Sequence, residues 1–156
     1  MDIAVVIGHP RPQSRTRTAA LAIANQLAER VGGTVTEIDV LGLGPALLEL
    51  GDASVARTVE RLARADVAVV VSPTFKGSYS GLLKLFLDHV PAAGLGGVVA
   101  LPLMVGGNPD HADAPERLLR PLLLETGASC PVPGHYLLDS DLDGATVPDG
   151  WAEVLA

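Results

Sequence analysis

The sequence predicts a parallel α/β sheet with helices on both faces. Three observations point there. Short apolar runs rich in Val and Ile recur along the chain, the first at Ile3–Ile7 and the clearest at Val67–Val71. Such runs read as strands buried on both faces. Segments of helical periodicity separate them, which is the alternation of a parallel sheet joined by crossovers. Aromatic residues make up only 3% of a chain that is 48% hydrophobic, so the core must be aliphatic. At 156 residues the chain is most simply one domain, 1–156. A chain of that size buries roughly 70% of its unfolded surface and needs no staple.

The first strand, Ile3–Ile7, ends at Gly8. A loop with two prolines follows, and from Ser14 a helix opens with Leu21, Ala24, Ala28 and Val31 on one face. Strand, short loop and helix N-terminus together make an anion site, because the first N–H groups of a helix lack internal partners and its dipole favours negative charge. The loop suits that use. It is free of acidic residues from His9 to Ala28, yet Arg11, Arg15 and Arg17 stand there in a protein of net charge -7. Ser14, Thr16 and Thr18 add hydroxyl donors. Guanidinium forks and hydroxyls match a phosphate monoester. The plainer reading is a solvated basic first turn, but cations beside a helix N-terminus carry a cost. The loop has neither G-x-G-x-x-G nor G-x-x-x-x-G-K-[ST], so a Rossmann dinucleotide site and a P-loop are both set aside.

Thr34–Val40 reads as a second strand after the Gly32-Gly33 stop. Leu41–Gly51 is a connection with room for a short turn of helix. Asp52 or Ser54 caps a helix running to about Arg64, with Val55, Val59 and Leu62 inward. The third strand, Val67–Val71, runs into Ser72-Pro73-Thr74-Phe75-Lys76-Gly77-Ser78-Tyr79-Ser80-Gly81. Ligands of open α/β sheets sit outside the carboxyl ends of strands where the strand order switches. In the order 2-1-3-4-5 the first and third strands flank that point. Two aromatics, Lys76 and several backbone amides then face the basic loop, a setting for a planar heteroaromatic ligand with a phosphate tail.

Leu82–Val90 is a helix that is apolar over most of its circumference and stops at Pro91. Its Lys84 and Asp88 form a surface i,i+4 pair. The apolar circumference suits a subunit interface, and His89 is read as a surface or interface histidine. Val98–Val105 is a fourth strand whose Pro102 requires a bulge or an unpaired position. It ends at Gly106-Gly107, either a third wall of the site or an ordinary turn. Asp113-Ala114-Pro115-Glu116 has capping-box spacing, with Leu118, Leu119, Leu122 and Leu123 inward and a kink expected at Pro121. Cys130–Leu138 is a last strand, at an edge because of its prolines. Asp139, Asp141 and Asp143 read as a solvated acidic turn, since the Gly and Glu of a calcium loop are missing. Trp151–Leu155 closes as a short helix.

Several classes are set aside. Cys130 is the only cysteine, so no internal disulfide forms, which suits a reducing cytoplasm; the thiol is read as a buried apolar group. A strand begins at once, so no signal peptide is visible. No apolar run reaches membrane-spanning length. The acidic balance argues against a nucleic-acid partner.

Gly8-His9-Pro10-Arg11-Pro12-Gln13-Ser14-Arg15-Thr16 resembles the G-S-P-R-x-x-S-R-[ST] loop of the NADPH-dependent FMN reductase family. Ser72–Lys84 resembles its [ST]-P-x-Y-K-x-x-Y-S-G-x-L-K segment, and the nearest branch is the reductases of two-component alkanesulfonate monooxygenase systems. The resemblance implies a flavodoxin-like three-layer α/β/α sandwich with a five-stranded parallel sheet in the order 2-1-3-4-5. It implies FMN and NADPH, hydride transfer between them, a homodimer or homotetramer, and a monooxygenase that consumes the reduced flavin. By the same resemblance Arg11, Ser14, Arg15 and Thr16 hold the FMN phosphate with His9. Pro73, Thr74, Phe75, Lys76 and Gly77 line the isoalloxazine, with Gly106 and Gly107 opposite. No catalytic acid or base and no metal ligand is expected. Three positions depart from the family pattern. His9 replaces Ser, Phe75 replaces Tyr, and the segment before Pro121 lacks an aromatic found in some two-component members. Rival readings are a flavodoxin-type electron carrier, whose phosphate loop normally lacks Arg, and a reductase of quinones, azo dyes or metal oxyanions with resident FMN. A further rival is a fold that has turned to another phosphate ligand or a protein partner.

Overall fold

The computed structural model describes residues 1–156. Five parallel strands form its sheet: β1 (Asp2–Ile7), β2 (Thr34–Asp39), β3 (Val67–Pro73), β4 (Val99–Gly106) and β5 (His135–Leu138), in the order β2-β1-β3-β4-β5. In the central pairing Ile3 lies opposite Val67 and Ile7 opposite Val71. Strand side chains alternate between faces, and both faces are apolar. Ile3, Val5, Ile7, Val69, Val71, Leu101 and Leu103 point to the face that carries α1 (Arg15–Val31). Ala4, Val6, Ala68, Val70, Ala100 and Met104 point to the other, under α2 (Ala53–Ala63), α3 (Gly81–Leu87) and α4 (Arg120–Glu125).

α1 starts at Ser14, whose Oγ accepts from the Arg17 N–H, and stops at Gly32 in the left-handed region (φ 69°). Its buried stripe is Ala20, Ile23, Ala24, Leu27 and Ala28. The expected Leu21 and Val31 are only half-buried, at the stripe's border. The alanines let the helix axis lie close to the sheet, so the contact line centres on them. α2 matches its pattern: Asp52 Oδ1 accepts from Ser54 N and Val55 N, and Val55, Val59 and Leu62 are buried. The connection before it winds as 3₁₀ turns over Val40–Leu48, broken at Gly44. It leaves Leu48 and Leu50 77% and 85% exposed.

α3 is shorter than the expected Leu82–Val90, its end unwinding into turns before Pro91. Lys84 and Asp88 pair at 2.6 Å on the surface. His89 is half-buried, and its Nε2–H donates to the Leu47 carbonyl at 2.8 Å. In β4, Ala100 N–H donates to Ser129 O, and β5 pairing starts only at Leu103. Pro102 faces the same side as Ala100 and falls in that gap, so no ladder bond is lost.

Three expectations need correction. The capping box does not form: Asp113 Oδ2 accepts from Arg117 Nε and Glu116 Oε2 from Gly134 N. Pro115–Leu119 winds as a π-turn, with Arg120 N–H donating to Pro115 O, and this break in the regular helix precedes Pro121, where a kink was expected. The last strand is His135–Leu138 alone, because Pro131 and Pro133 cannot donate to the ladder and keep 130–134 out of it. The C-terminus closes with one 3₁₀ turn, Glu153–Leu155, while Trp151 is buried edge-on to the His135 ring. Cys130 is buried, and burial pushes its thiol up. No helix is long and apolar enough to cross a membrane.

Candidate active site at the carboxyl edge of the sheet

The loops that follow β1, β3, β4 and β5 meet around the carboxyl ends of their strands. In the first, Ser14 Oγ takes the Arg17 N–H and Ser14 O takes the Thr18 N–H. The Arg15 and Thr16 N–H groups then have no acceptor within the chain. They point out of the helix N-terminus with the positive end of its dipole. Arg11 is exposed and its guanidinium is unpaired. Arg15 is 63% exposed; its Nη2 donates to Asp139 O at 3.3 Å and lies 3.6 Å from Asp143 Oδ2. Thr16 is buried. Arg17 departs from its sequence reading: its guanidinium grips Glu37 of β2 at 2.6 and 2.7 Å and so leaves the anion seat.

His9 is half-buried. Its Nδ1 accepts the Arg11 backbone N–H at 3.0 Å, which fixes the neutral tautomer with a hydrogen on Nε2. Burial lowers its pKa, Arg11 lowers it further, and Asp139 opposes both. The ring meets Phe75 edge-on, centroids 6.2 Å apart, and so ties the first loop to the second.

The second loop is a tight hairpin. Phe75 and Ser78 exchange both backbone hydrogen bonds, and Lys76 and Gly77 turn the chain at φ 53° and 75°. Consecutive left-handed residues make the turn type that closes a two-residue hairpin. The Lys76 and Gly77 N–H groups find no acceptor in the chain. Phe75 is 45% exposed beside them. Pro73 is buried at the strand end, and Thr74 N–H donates to Val105 O. Thr74 Oγ1 is buried without a partner.

Gly106 sits between Thr74 and Tyr136. A Cβ there would overlap the Tyr136 hydroxyl and lie 3.0 Å from Thr74 Cβ. Gly107 faces Asp139, whose Oδ2 would be 3.2 Å from a Cβ. The Gly106-Gly107 pair is therefore a close-approach position between loops, the wall alternative of its sequence reading. All twelve residues singled out in the sequence lie on these loops or on the strand ends and helix start that border them, and contacts run from each loop to the next.

Four contributors escaped the sequence reading. Ser80 Oγ donates to Gly8 O at 2.6 Å and accepts Leu83 N–H at 3.1 Å, while Ser72 Oγ accepts Ser80 N–H and donates to Pro73 O. Both serines are buried, and together they tie the first loop to the second. His111 lies over the turn, its Nε2 3.4 Å from where a Gly77 Cβ would stand. Asp139 brings the acidic turn into the site. Only Ser80 left a local signal, a hydroxyl directly before a helical run.

This donor set fits FMN. Arg11, Arg15 and two helix N–H groups suit its phosphate. The hairpin's free N–H pair and exposed Phe75 suit a polar-edged planar ring, and the orphaned Thr74 hydroxyl has a partner to gain. The family described as NADPH-dependent FMN reductase matches residues 1–143. FMN reductase (NADPH) of Escherichia coli K12 is 30% identical over 148 residues, covering 91% of this chain and 75% of the relative. The NADH-dependent FMN reductase SfnF of Pseudomonas putida is 29% identical over 126 residues, 77% of this chain and 68% of that one. The apo crystal structure of the NADH:FMN oxidoreductase EMOB superposes with a TM-score of 0.85 at 35% identity, over 99% of this chain and 83% of that one. With the match spanning all five strands and every loop of the site, the chain belongs to the NADPH-dependent FMN reductase family.

Proposed function

We propose that this chain is an NAD(P)H-dependent FMN reductase, with residues 1–156 acting as one FMN-binding domain. The observation that carries the reading is the pairing of an anion seat at the α1 N-terminus with the free N–H pair of the Lys76–Gly77 turn, held together by Ser80 and His9. FMN bound there supplies the two-electron centre that accepts a hydride from the reduced nicotinamide. The protein's part is to bind, orient and stabilise charge. Arg11, Arg15, Ser14, Thr16 and His9 hold the phosphate end. Pro73, Thr74, Phe75, Lys76 and Gly77 line one side of the ring, and Gly106 and Gly107 give it room. The Lys76 ammonium and the turn's N–H groups would stabilise negative charge on a ring bound beside them.

The chain acts as a homodimer or homotetramer in the cytoplasm and supplies reduced flavin to a monooxygenase. The half-buried Leu82, Leu85 and Val90 around α3, next to exposed Leu48 and Leu50, support the oligomer; a monomer in sedimentation at micromolar concentration removes it. The lone buried thiol supports the compartment. The activity is tested by following oxidation of NADPH and NADH in air with and without added FMN. Flavin-dependent turnover above that of free FMN supports the reading. Nicotinamide oxidation that ignores the protein refutes it.

A further inference from the structure

Arg15 serves two neighbours. Its backbone N–H lies in the anion seat, while its guanidinium reaches the turn that follows β5. There Nη2 donates to Asp139 O at 3.3 Å and stands 3.6 Å from Asp143 Oδ2. The turn carries three exposed acidic residues, Asp139, Asp141 and Asp143. The charge of Asp139 is felt at His9, in the phosphate loop. A phosphate monoester adds roughly 1.5 to 2 negative charges at neutral pH. The turn and a phosphate on the seat therefore draw on the same cation, and like charges repel across the short distance between them.

The segment that carries the turn is loosely held. Between Ser140 and Gly150 a single hydrogen bond reaches residues 1–138, from Gln26 Nε2 to Ala145 O at 3.0 Å. Clefts of about 400 and 320 Å³ flank the segment, one against α1 and one against β5. Its hold is apolar, through buried Leu142, Ala145, Val147 and Trp151. Few backbone bonds to the body of the protein and clefts on both sides mark a region that opens locally at small cost. The Arg15–Asp143 pair is itself a weak latch, because the Asp143 side chain is 94% exposed.

We propose that the acidic turn Asp139–Asp143 is a built-in counter-ion for Arg15 that a phosphate displaces, so that filling the anion seat and docking the turn oppose each other. The inference rests on the reading of the α1 N-terminus as a phosphate seat. Such a coupling is reciprocal: what the turn takes from phosphate affinity, phosphate takes from the docking of the turn. The contact lowers affinity at the phosphate end, which suits a flavin that comes and goes.

The test uses FMN and riboflavin, which differ only in the phosphate, with the variants Asp143→Ala and Asp141→Ala. Asp143 pairs with Arg15 alone, and Asp141 carries the same charge in the same turn without an ion pair. Flavin fluorescence titration is expected to show FMN bound about two- to fivefold more tightly by Asp143→Ala than by the wild type, the range of an exposed ion pair. Riboflavin affinity stays the same, and Asp141→Ala gains less. The reciprocal measurement follows digestion of the wild type by a protease that cuts after acidic residues, with the cut sites read by mass spectrometry. Saturating FMN is expected to speed cutting at 139–143 by a similar factor over saturating riboflavin, since cleavage tracks the open population. Unchanged or weaker FMN binding in Asp143→Ala overturns the proposal and makes the turn a support for Arg15. A gain shared by riboflavin, or an equal gain in Asp141→Ala, overturns the latch in favour of a general effect of charge. Cutting that FMN leaves unchanged or slows overturns it too, the slower case meaning a turn that closes over the phosphate. A wild type that binds FMN no better than riboflavin is a separate outcome, and it overturns the phosphate seat itself.

Discussion

Ser80→Ala removes one oxygen from the place where the phosphate loop meets α3. Ser80 is 1% exposed. Its hydroxyl donates to Gly8 O at 2.6 Å and accepts Leu83 N–H at 3.1 Å. Alanine leaves a buried carbonyl without a donor, which costs about 1–3 kcal/mol, and takes away an N-cap worth about 1 kcal/mol. The sum is roughly 2–4 kcal/mol, a large part of a typical folding free energy of about 5–15 kcal/mol. Urea unfolding followed by circular dichroism reads that loss as a lower midpoint at unchanged slope. FMN affinity falls with it, because Gly8 begins the loop that carries His9, Arg11 and Ser14. Ser72→Ala strips the acceptor from Ser80 N–H and the donor from Pro73 O but leaves the Gly8 contact standing, so it lowers FMN affinity less than Ser80→Ala does. A loss below about 0.5 kcal/mol in Ser80→Ala, within the range of an ordinary surface change, refutes the idea that this hydroxyl welds the two loops.

Three further outcomes follow from the geometry. Arg15→Ala weakens FMN about tenfold and leaves riboflavin, which has no phosphate, unchanged. Arg17→Ala, whose guanidinium is held by Glu37, changes FMN affinity less than about twofold, and equal losses in the two variants contradict the assignment. Gly106→Ala costs about 1–3 kcal/mol by overpacking against Thr74 and Tyr136; adding Tyr136→Phe recovers part of it, and no recovery contradicts the close approach. His9 and His135 both have pKa values lowered by burial from an ordinary value of 6.5. Below that value the unfolded chain takes up protons that the folded chain refuses. Their contribution is therefore complete above about pH 6.5 and is lost as pH falls toward the depressed folded values. Urea midpoints should drop between about pH 7.5 and pH 5, with a flatter profile in His135→Asn.

What was readable in the sequence, and what was not, divides along physical lines. Val67–Val71 and the Val55-Val59-Leu62 stripe were plain because burial on a sheet is written in local periodicity. The 9–16 loop stood out because arginines and hydroxyls cluster there in an acidic chain, and the fold sets that cluster at the N-terminus of α1. In the α1 stripe Ala24 and Ala28 are buried as expected, while Leu21 and Val31 give way to Ala20, Ile23 and Leu27, because alanine, with little hydrophobic signal, lets the helix approach the sheet most closely. The box at Asp113–Glu116 failed because each carboxylate found a stronger tertiary partner, Arg117 for one and the Gly134 amide for the other. Arg17 was counted with the anion loop because nothing local shows that Glu37 stands on the neighbouring strand. Asp139 and His111 reach the site only through folding, on loops that read alone as polar turns.

The central claim is most directly tested by mixing FMN-saturated protein with excess NADH or NADPH without oxygen and watching the flavin's visible absorbance in a rapid-mixing instrument. The flavin is expected to bleach at least about a hundredfold faster than free FMN at the same nicotinamide concentration, a gain of the kind that holding two reactants in place supplies. It also requires Arg15→Ala to lose that rate at FMN concentrations that saturate the wild type. Bound flavin that stays yellow on the time scale of free FMN would contradict the reductase and leave an electron carrier in its place.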